Sequence, residues 1–584
     1  MLVGFHRSHE SSVVLLEEDG RPRFAASEER FSRIKMQGGW PELTAAHVSK
    51  HYDLSSARAV HGGLPLQQRL GREARLALYN ASHRLLQDVH PKRFRKLLDM
   101  ALGRTQSEAV VFPELSRTHV DHHTCHAASA YYPSGFDEAE VVTVDGVGDT
   151  YSSRVFRGSR GRLTPVAERF HTDFPVGHNY EYLTAMLGLH PHRHAGKVTG
   201  LSAHGSRDER LLAALEGWLR EVWSARRGRP YFFMLHSTHG STEGDAAFAA
   251  AVDELREIRR TRFGDWSDAD LAWTIQHLLE RDVLAWIQRV VPRIEGQPIC
   301  LAGGVFANVK LNKLVKELGF GRIFVQPAMG DGGLAFGAPL ARLAEEQDGL
   351  APYRLESAYL GPEFGEDEML AAIRAEGLEP RRFEPVEPEI ARLLAGGRVV
   401  ARFQGRMEFG PRALGNRSIL YHCADASVND WLNQRLDRTE FMPFAPATIE
   451  DEAAASFLGL SGAEHAAEFM TLTFDCSEDF KRRCPAAVHV DGTARPQLVR
   501  RQTNPSFHRV LEAYRELTGV GTVVNTSFNM HEEPIVCTPQ DAVRSFMRGH
   551  LDYLALGPFI VENPNLGPVV GQPPRREETA RGVA

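Results

Sequence analysis

One arrangement occurs twice in the chain, at residues 2–30 and at residues 140–170, and this internal repeat of about thirty residues constrains the fold more than any other feature. The first copy reads as a strand from Leu2, a polar loop through His6, His9 and Glu10, a strand Val13–Leu16, a tight turn at Glu18-Asp19-Gly20, and a third strand ending at Glu28-Glu29-Arg30. The second copy reads as a strand to Asp145, a loop Gly146 to Asp149, a strand Ser153–Phe156, a turn at Gly158 to Gly161, and a strand Leu163–Phe170. Strand, polar loop and hairpin in duplicate predict an α/β domain whose two loops face each other across a cleft.

A chain of 584 residues is too long for one core. The helical spacing predicts helices over 66–104, 207–225 and 267–294. Two strand-to-glycine-to-helix units follow. The first is Pro298 to Ala302, then Gly303-Gly304 and a helix carrying Asn308 and Asn312. The second is Arg322 to Gln326, then Gly330-Asp331-Gly332-Gly333 and a helix to about Glu346. Glycines at such junctions let backbone N–H groups approach a nucleotide or phosphate at a helix N-terminus. Composition turns loop-like near Gln347 to Pro352, which sets the expected boundaries: residues 1–352, a second domain over 353–565, and a disordered tail over 566–584.

In Asp121-His122-His123-Thr124-Cys125-His126 an Ala-rich helix begins, so His122 and His126 stand one turn apart on one face. Asp145 ends an apolar strand where glycines begin, placing a carboxylate at the strand's C-terminal edge. Two imidazoles and a carboxylate suit iron, zinc or manganese better than calcium or magnesium. The same pair would also serve as ordinary histidines on an amphipathic helix.

The second domain is expected to open with a helix Glu366–Glu376 and a strand Arg398–Phe403. That strand leads into Gln404-Gly-Arg406-Met-Glu408-Phe-Gly410-Pro-Arg412-Ala-Leu-Gly415-Asn416-Arg417. Arginine forks suit phosphate and carboxylate groups, although these arginines could also pair with Glu408. Further polar clusters surround Arg438, Arg495 and Asn525. Lys+Arg 68 against Asp+Glu 75 leaves a net charge of −7, which argues against a general nucleic-acid binder. The scattered cysteines 125, 300, 423, 476, 484 and 537 form no Cys-x-x-Cys pair, and no apolar run approaches membrane-spanning length. A cytoplasmic protein with no membrane partner is the expectation.

The motifs resemble those of the nodulation-factor and antibiotic O-carbamoyltransferases. The resemblance spans nearly the whole chain. It rests on Ser27 to Arg33, His122/His126/Asp145, Gly196-Lys197-Val-Thr-Gly200, Leu301 to Val305, Gln326 to Asp331, Met407 to Ser418, Pro443 to Pro446, His489 to Arg495, and Asn525 to Asn529. Met407 to Ser418 is the most specific of these. The resemblance implies an actin-like ATPase-type N-terminal domain, similar to the tRNA threonylcarbamoyladenosine transferase, and a YrdC-like α/β C-terminal domain. It further implies that carbamoyl phosphate and ATP, with Mg, yield carbamoyl-adenylate in the second domain. The carbamoyl group then passes, in the first, to a hydroxyl of a small-molecule acceptor.

Carried onto this chain, the resemblance makes His122, His126, Asp145 and Asp331 ligands of a divalent metal, Fe(II) ahead of Zn or Mn. Gly303, Gly304, Asn308 and Lys197 would hold the nucleotide, and Arg412, Arg417, Arg438, Arg495 and Asn525 would hold ATP and carbamoyl phosphate. His9 would be the general base, with Glu10 and Lys35 toward the acceptor. Glu10 stands where the family usually has Asp, Met36 and Ala195 replace a His and a Glu, and Met442 replaces an Arg. A tRNA-directed threonylcarbamoyl transferase is the competing reading within the fold. A non-catalytic nucleotide-binding module and a metal-dependent hydrolase compete from outside it. The acceptor and the oligomeric state are not legible in the sequence.

Overall fold

A computed structural model describes residues 1–63, 111–224, 242–437 and 444–569. The chain forms two compact units. The first comprises Met1–Arg21, Gly38–Gly321 and Met329–Arg354, and the second comprises Pro22–Gln37, Arg322–Ala328 and Leu355–Ala584.

The strands before residue 354 are β1 (Leu2–His6), β2 (Ser12–Leu16), β3 (Pro22–Ser27), β4 (Arg58–Gly62), β5 (Arg117–Val120), β6 (Glu138–Gly148), β7 (Tyr151–Ser159), β8 (Arg162–Phe170), β9 (Pro298–Ala302) and β10 (Arg322–Val325). Of these, β3 and β10 fall in segments of the second unit. In the first unit β1 runs antiparallel to β2 and parallel to β4, with β5 parallel beyond it. β6 runs antiparallel to β7 and parallel to β9, with β8 antiparallel beyond β7. Both sets follow one plan, a first strand between its antiparallel successor and a later parallel strand. That is the duplication read from the sequence. β1 and β2 are buried at every position, so they read as continuous apolar runs rather than as an alternation.

The helix Leu334–Glu346 packs against β1 and against the helix His122–Tyr131. At Gly337 the two helices approach so closely that a Cβ would lie 1.7 Å from the Cys125 carbonyl oxygen. Only glycine fits there. The contact matters because Asp331 lies in the short turn Asp331–Gly333 that leads into Leu334–Glu346.

Two local expectations need correction. Glu28–Ser32 is a helical turn, not the end of a strand, with acids in its first turn as the helix dipole favours. Asp145 lies inside β6, whose pairing with β7 is irregular between Val144 and Gly148, so the carboxylate sits at a bulge rather than a strand end. The predicted helices 207–225 and 267–294 are Glu209–Trp223 and Asp268–Val290. The expected helix 66–104 lies outside the described residues, as do Arg438 and most of the expected tail.

The second unit is built on β11 (Arg381–Arg382), β12 (Val400–Phe403), β13 (Arg417–His422), β14 (Ala445–Ile449), β15 (Phe457–Leu458), β16 (Phe474–Cys476), β17 (Thr493–Ala494), β18 (Gln497–Val499), β19 (Thr522–Ser527), β20 (Tyr553–Leu556) and β21 (Phe559–Glu562). Eight of them form a mixed sheet in the order β11-β21-β20-β12-β13-β19-β14-β18, and β15, β16 and β17 form a small second sheet. Leu394, Val510, Leu511 and Tyr514, from the helices Glu387–Ala395 and Pro505–Thr518, share a core with Val400, Leu420, Ala447 and Val523 of the sheet. Each of the Leu and Val side chains among them contributes roughly 1.5–3 kcal/mol through burial. Both units are α/β.

Candidate metal centre

The helix His122–Tyr131 starts where it does because two acids satisfy its free amides. Asp121 Oδ1 accepts from the Thr124 N–H at 3.0 Å and from Arg154 Nη1 at 2.9 Å. Asp149 Oδ2 accepts from the His122 N–H at 2.9 Å. These bonds close the N-terminus and fix the first turn, from which His122 and His126 project together. Behind His122 lies Gly148, where a Cβ would come within 2.0 Å of the imidazole ring. The glycine at the β6 bulge makes room for the His122 ring.

Four side chains converge. His126 Nε2 lies 3.1 Å from His122 Nε2 and 3.0 Å from Asp145 Oδ2. His122 Nε2 lies 3.4 Å from Asp145 Oδ2 and 3.6 Å from Asp331 Oδ1. His126 Nε2 lies 3.8 Å from Asp331 Oδ1. The four donor atoms all fall within 4.8 Å of one another, and the histidines and Asp331 are buried.

These charges do not balance by themselves. Burial pushes both carboxyls up, yet the imidazoles outweigh it and hold Asp145 and Asp331 below the ordinary carboxylate range. Burial likewise opposes charge on His122, but Asp331, Asp145 and Asp149 raise it to about 9. Two carboxylates, Asp331 buried and Asp145 half-buried, call for two positive charges. Two imidazolium rings cannot supply them, because two N–H donors would face each other across 3.1 Å. A divalent cation balances both acids and accepts both nitrogens, and the N2O2 donor set fits an iron-type or zinc-type ion.

His123, between the two histidines in sequence, faces elsewhere. It bonds the Tyr151 carbonyl and Thr143, and burial, then His122, pushes it down to about 3. On the other side of Asp331, Oδ2 is flanked by His6 Nε2 at 3.6 Å and His9 Nδ1 at 3.7 Å. His9 is 44% exposed, while His6 is buried. The sequence reading passed over His6. The repeat could have found it, since His6 closes β1 much as Asp145 stands near the end of β6.

Two family models match the chain: carbamoyltransferase N-terminus over residues 68–340 and carbamoyltransferase C-terminus over residues 391–563. The chain belongs to the carbamoyltransferase family. It is an enzyme that transfers a carbamoyl group. It is similar to nodulation protein NolNO of Sinorhizobium fredii, 32% identical over 581 residues that cover 96% of this chain and 80% of the relative. Nodulation protein NolO of Bradyrhizobium diazoefficiens is 33% identical over 447 residues, covering 76% of this chain and 78% of the relative. Among solved structures, (R)-2-hydroxyglutaryl-CoA dehydratase component A of Acidaminococcus fermentans aligns with a TM-score of 0.31 and 12% identity, over 59% of this chain and 98% of that one. That likeness is too slight to bear on fold or function.

In this carbamoyltransferase Gly303 and Gly304 follow β9 beside the centre. A Cβ at Gly304 would lie 3.1 Å from Asp145 Oδ1. Asn308 caps the helix Val309–Glu317 through the Leu311 N–H and exchanges hydrogen bonds with Gln276, which also bonds Tyr180 and Glu280. Burial raises the Glu280 carboxyl. Gln276 and Glu280 stand on one face of Asp268–Val290 at helical spacing and escaped the sequence reading, because nothing local marks them. Lys197 is buried in the helix Ala195–Leu201. Glu10 is half-buried, 3.5 Å from the Gly332 N–H. Lys35 belongs to the second unit, half-buried.

The arginine-rich loop of the second unit is ordered by Glu408. Its Oε1 accepts from the N–H groups of Leu414, Asn416 and Arg417 at 2.8–3.1 Å. Backbone amides therefore take the place of the arginine partners that the sequence allowed. The buried Arg417 guanidinium donates to the carbonyls of Gln404, Asn416 and Gly405 and stacks 3.5 Å from the Phe403 ring centroid. Asn525 Nδ2 bonds the Ala413 carbonyl and Gln497. Arg412 and Arg495 are half-buried.

Proposed function

We propose that the enzyme makes carbamoyl-adenylate from carbamoyl phosphate and ATP and passes its carbamoyl group to a hydroxyl of a natural product. The observation that carries this reading is the buried pairing of two acids with two imidazoles, His122, His126, Asp145 and Asp331. Carbamate is a poor acyl donor until its oxygen belongs to a mixed anhydride. In the first step water cleaves carbamoyl phosphate to carbamate and inorganic phosphate, and a carbamate oxygen then bonds the α-phosphorus of ATP as pyrophosphate leaves. Arg412 and Arg495, with Arg438, supply cations to the phosphates, and Arg417 and Glu408 hold the loop that presents Arg412.

In the second step the acceptor oxygen bonds the carbamoyl carbon, the C–O bond to AMP breaks, and its electron pair leaves with AMP. A bound iron-type ion supplies Lewis acidity to the carbonyl and to the leaving group. His9, exposed beside Asp331, takes the hydroxyl proton as a neutral imidazole, and Glu10 turns the acceptor toward it. Gly303, Gly304, Asn308 and Lys197 line the nucleotide side of the same centre. The test is His122→Ala. Bound metal and carbamoyl transfer should be lost while ATP/pyrophosphate exchange persists, and loss of exchange as well would refute the division of labour.

A further inference from the structure

Two of the six cysteines meet inside the second unit. Cys423 directly follows β13, and Cys484 closes the helix Glu478–Arg483, 61 positions later. Their Sγ atoms lie 2.9 Å apart. Even carbon atoms, which are smaller than sulfur, rest roughly 3.5–4.0 Å apart when unbonded. A disulfide bond of about 2.05 Å therefore needs less than about 1 Å of further approach. The backbone on either side is already held. The Ala486 N–H donates to the Cys423 carbonyl at 3.1 Å, the Cys484 N–H to the Phe480 carbonyl at 2.8 Å, and the Ala487 N–H to the Cys484 carbonyl at 3.0 Å. Closing the bond is thus a matter of side-chain rotation. Both thiols are 1% exposed, and hydrogen bonding to Cys423, then burial, holds the Cys484 thiol well above its ordinary range. That makes the pair slow to react. Opening of the helix, only six residues long and followed by the half-buried Pro485, lets a small oxidant in.

We propose that Cys423 and Cys484 form a modification site, a dithiol that a peroxide converts to a disulfide fastening the second unit. The site goes beyond the carbamoyl-adenylate reading and does not depend on it. One sulfur attacks a peroxide oxygen, an S–O bond forms, the O–O bond breaks, and hydroxide leaves with the thiol proton as water. The other sulfur then attacks the sulfenic sulfur, the S–S bond forms, the S–O bond breaks, and a second water carries off the second thiol proton. Two electrons pass from the sulfurs to the peroxide. The new bond closes a loop that holds β14, the helix Glu450–Ser456, β15 and β16, together with Arg438 in sequence. Closing it constrains the unfolded chain, so the oxidised form is the harder one to unfold. Because the reaction is slow, the bond records sustained oxidation rather than a brief burst.

The test treats the full-length, zinc-loaded protein with hydrogen peroxide, zinc having no redox chemistry of its own. Remaining thiols are alkylated in denaturant for intact mass and peptide mapping, and a parallel sample is melted. Two of the six cysteines should be protected, in one peptide pair joining Cys423 to Cys484, and dithiothreitol should release them. The unfolding midpoint should rise by about 5–10 °C over the reduced protein. Cys484→Ser and Cys423→Ala should each lose both the link and the rise. One folded variant is enough, and the wild-type mapping decides by itself if neither folds. Overturning results are alkylation of every cysteine after treatment, a link between other cysteines, sulfinic acid in place of the disulfide, a disulfide that leaves the midpoint where it was, or a rise that survives in a folded single variant.

Discussion

Asp331 and Arg417 are both buried charges, one in each unit, and their surroundings treat them in opposite ways. Around Arg417 the chain supplies three carbonyl oxygens to Nη1 and Nη2 and an aromatic face, so all of the guanidinium but its Nε is answered within the fold. Burial pushes it down only to about 10, and it stays a cation. Around Asp331 the chain supplies a second acid, two ring nitrogens 3.1 Å apart, and His6 Nε2 at 3.6 Å. Those groups cannot all be satisfied by one another. The lesson is that burial alone does not mark a functional charge. A charge that the fold has already answered is structural, and one that it leaves for a cation or a substrate is chemical.

The largest effect that sharpens this contrast is expected from Asp145→Ala. Carbamoyl transfer should fall by a factor on the order of 10³ with loss of bound metal. Thermal denaturation of the metal-free protein should show a loss of stability as well, because His122 and His126 lose the carboxylate they pair with. Next comes Arg417→Met, which strands the carbonyls of Gln404, Gly405 and Asn416. Urea unfolding should reveal a loss of about 3–5 kcal/mol, with metal content unchanged. A stable Arg417→Met protein defective only in adenylate formation would break the comparison.

A smaller effect belongs to pH. The folded His122 sits near 9 against an ordinary 6.5, so its stabilising contribution is complete below about pH 6.5 and is lost as pH rises through 9. Chelated protein should therefore lose on the order of 1–3 kcal/mol across that window, as read by denaturant midpoints at each pH. Metal-loaded protein should show no such slope, because the ion has replaced the proton. The smallest expected change is Glu408→Gln. Its amide oxygen can still accept, but without charge, so the loop should lose about 1–2 kcal/mol and pyrophosphate exchange should weaken only modestly.

Much of the first unit was legible because its signals are local. Short apolar runs and the glycine punctuation located β6 to β8, and a four-residue spacing put His122 and His126 on one helix face. The helix cap at Asp121 sits where such a residue should. Reading failed where the backbone does something irregular or where a partner is distant. The bulge at Asp145 looked like a strand end because glycine marks both. The Glu408 nest was invisible, because its partners are backbone amides that every sequence possesses.

By itself the sequence determined the duplicated strand plan, the helix that carries the imidazoles and the loop that carries the arginines, since each follows from propensities acting over a few residues. Only the tertiary structure decided that Asp331 meets His126, and that His6 stands beside Asp331. The physical reason is the Gly337 contact. Two helices far apart in the chain touch backbone to backbone there, and no local period records which faces will meet.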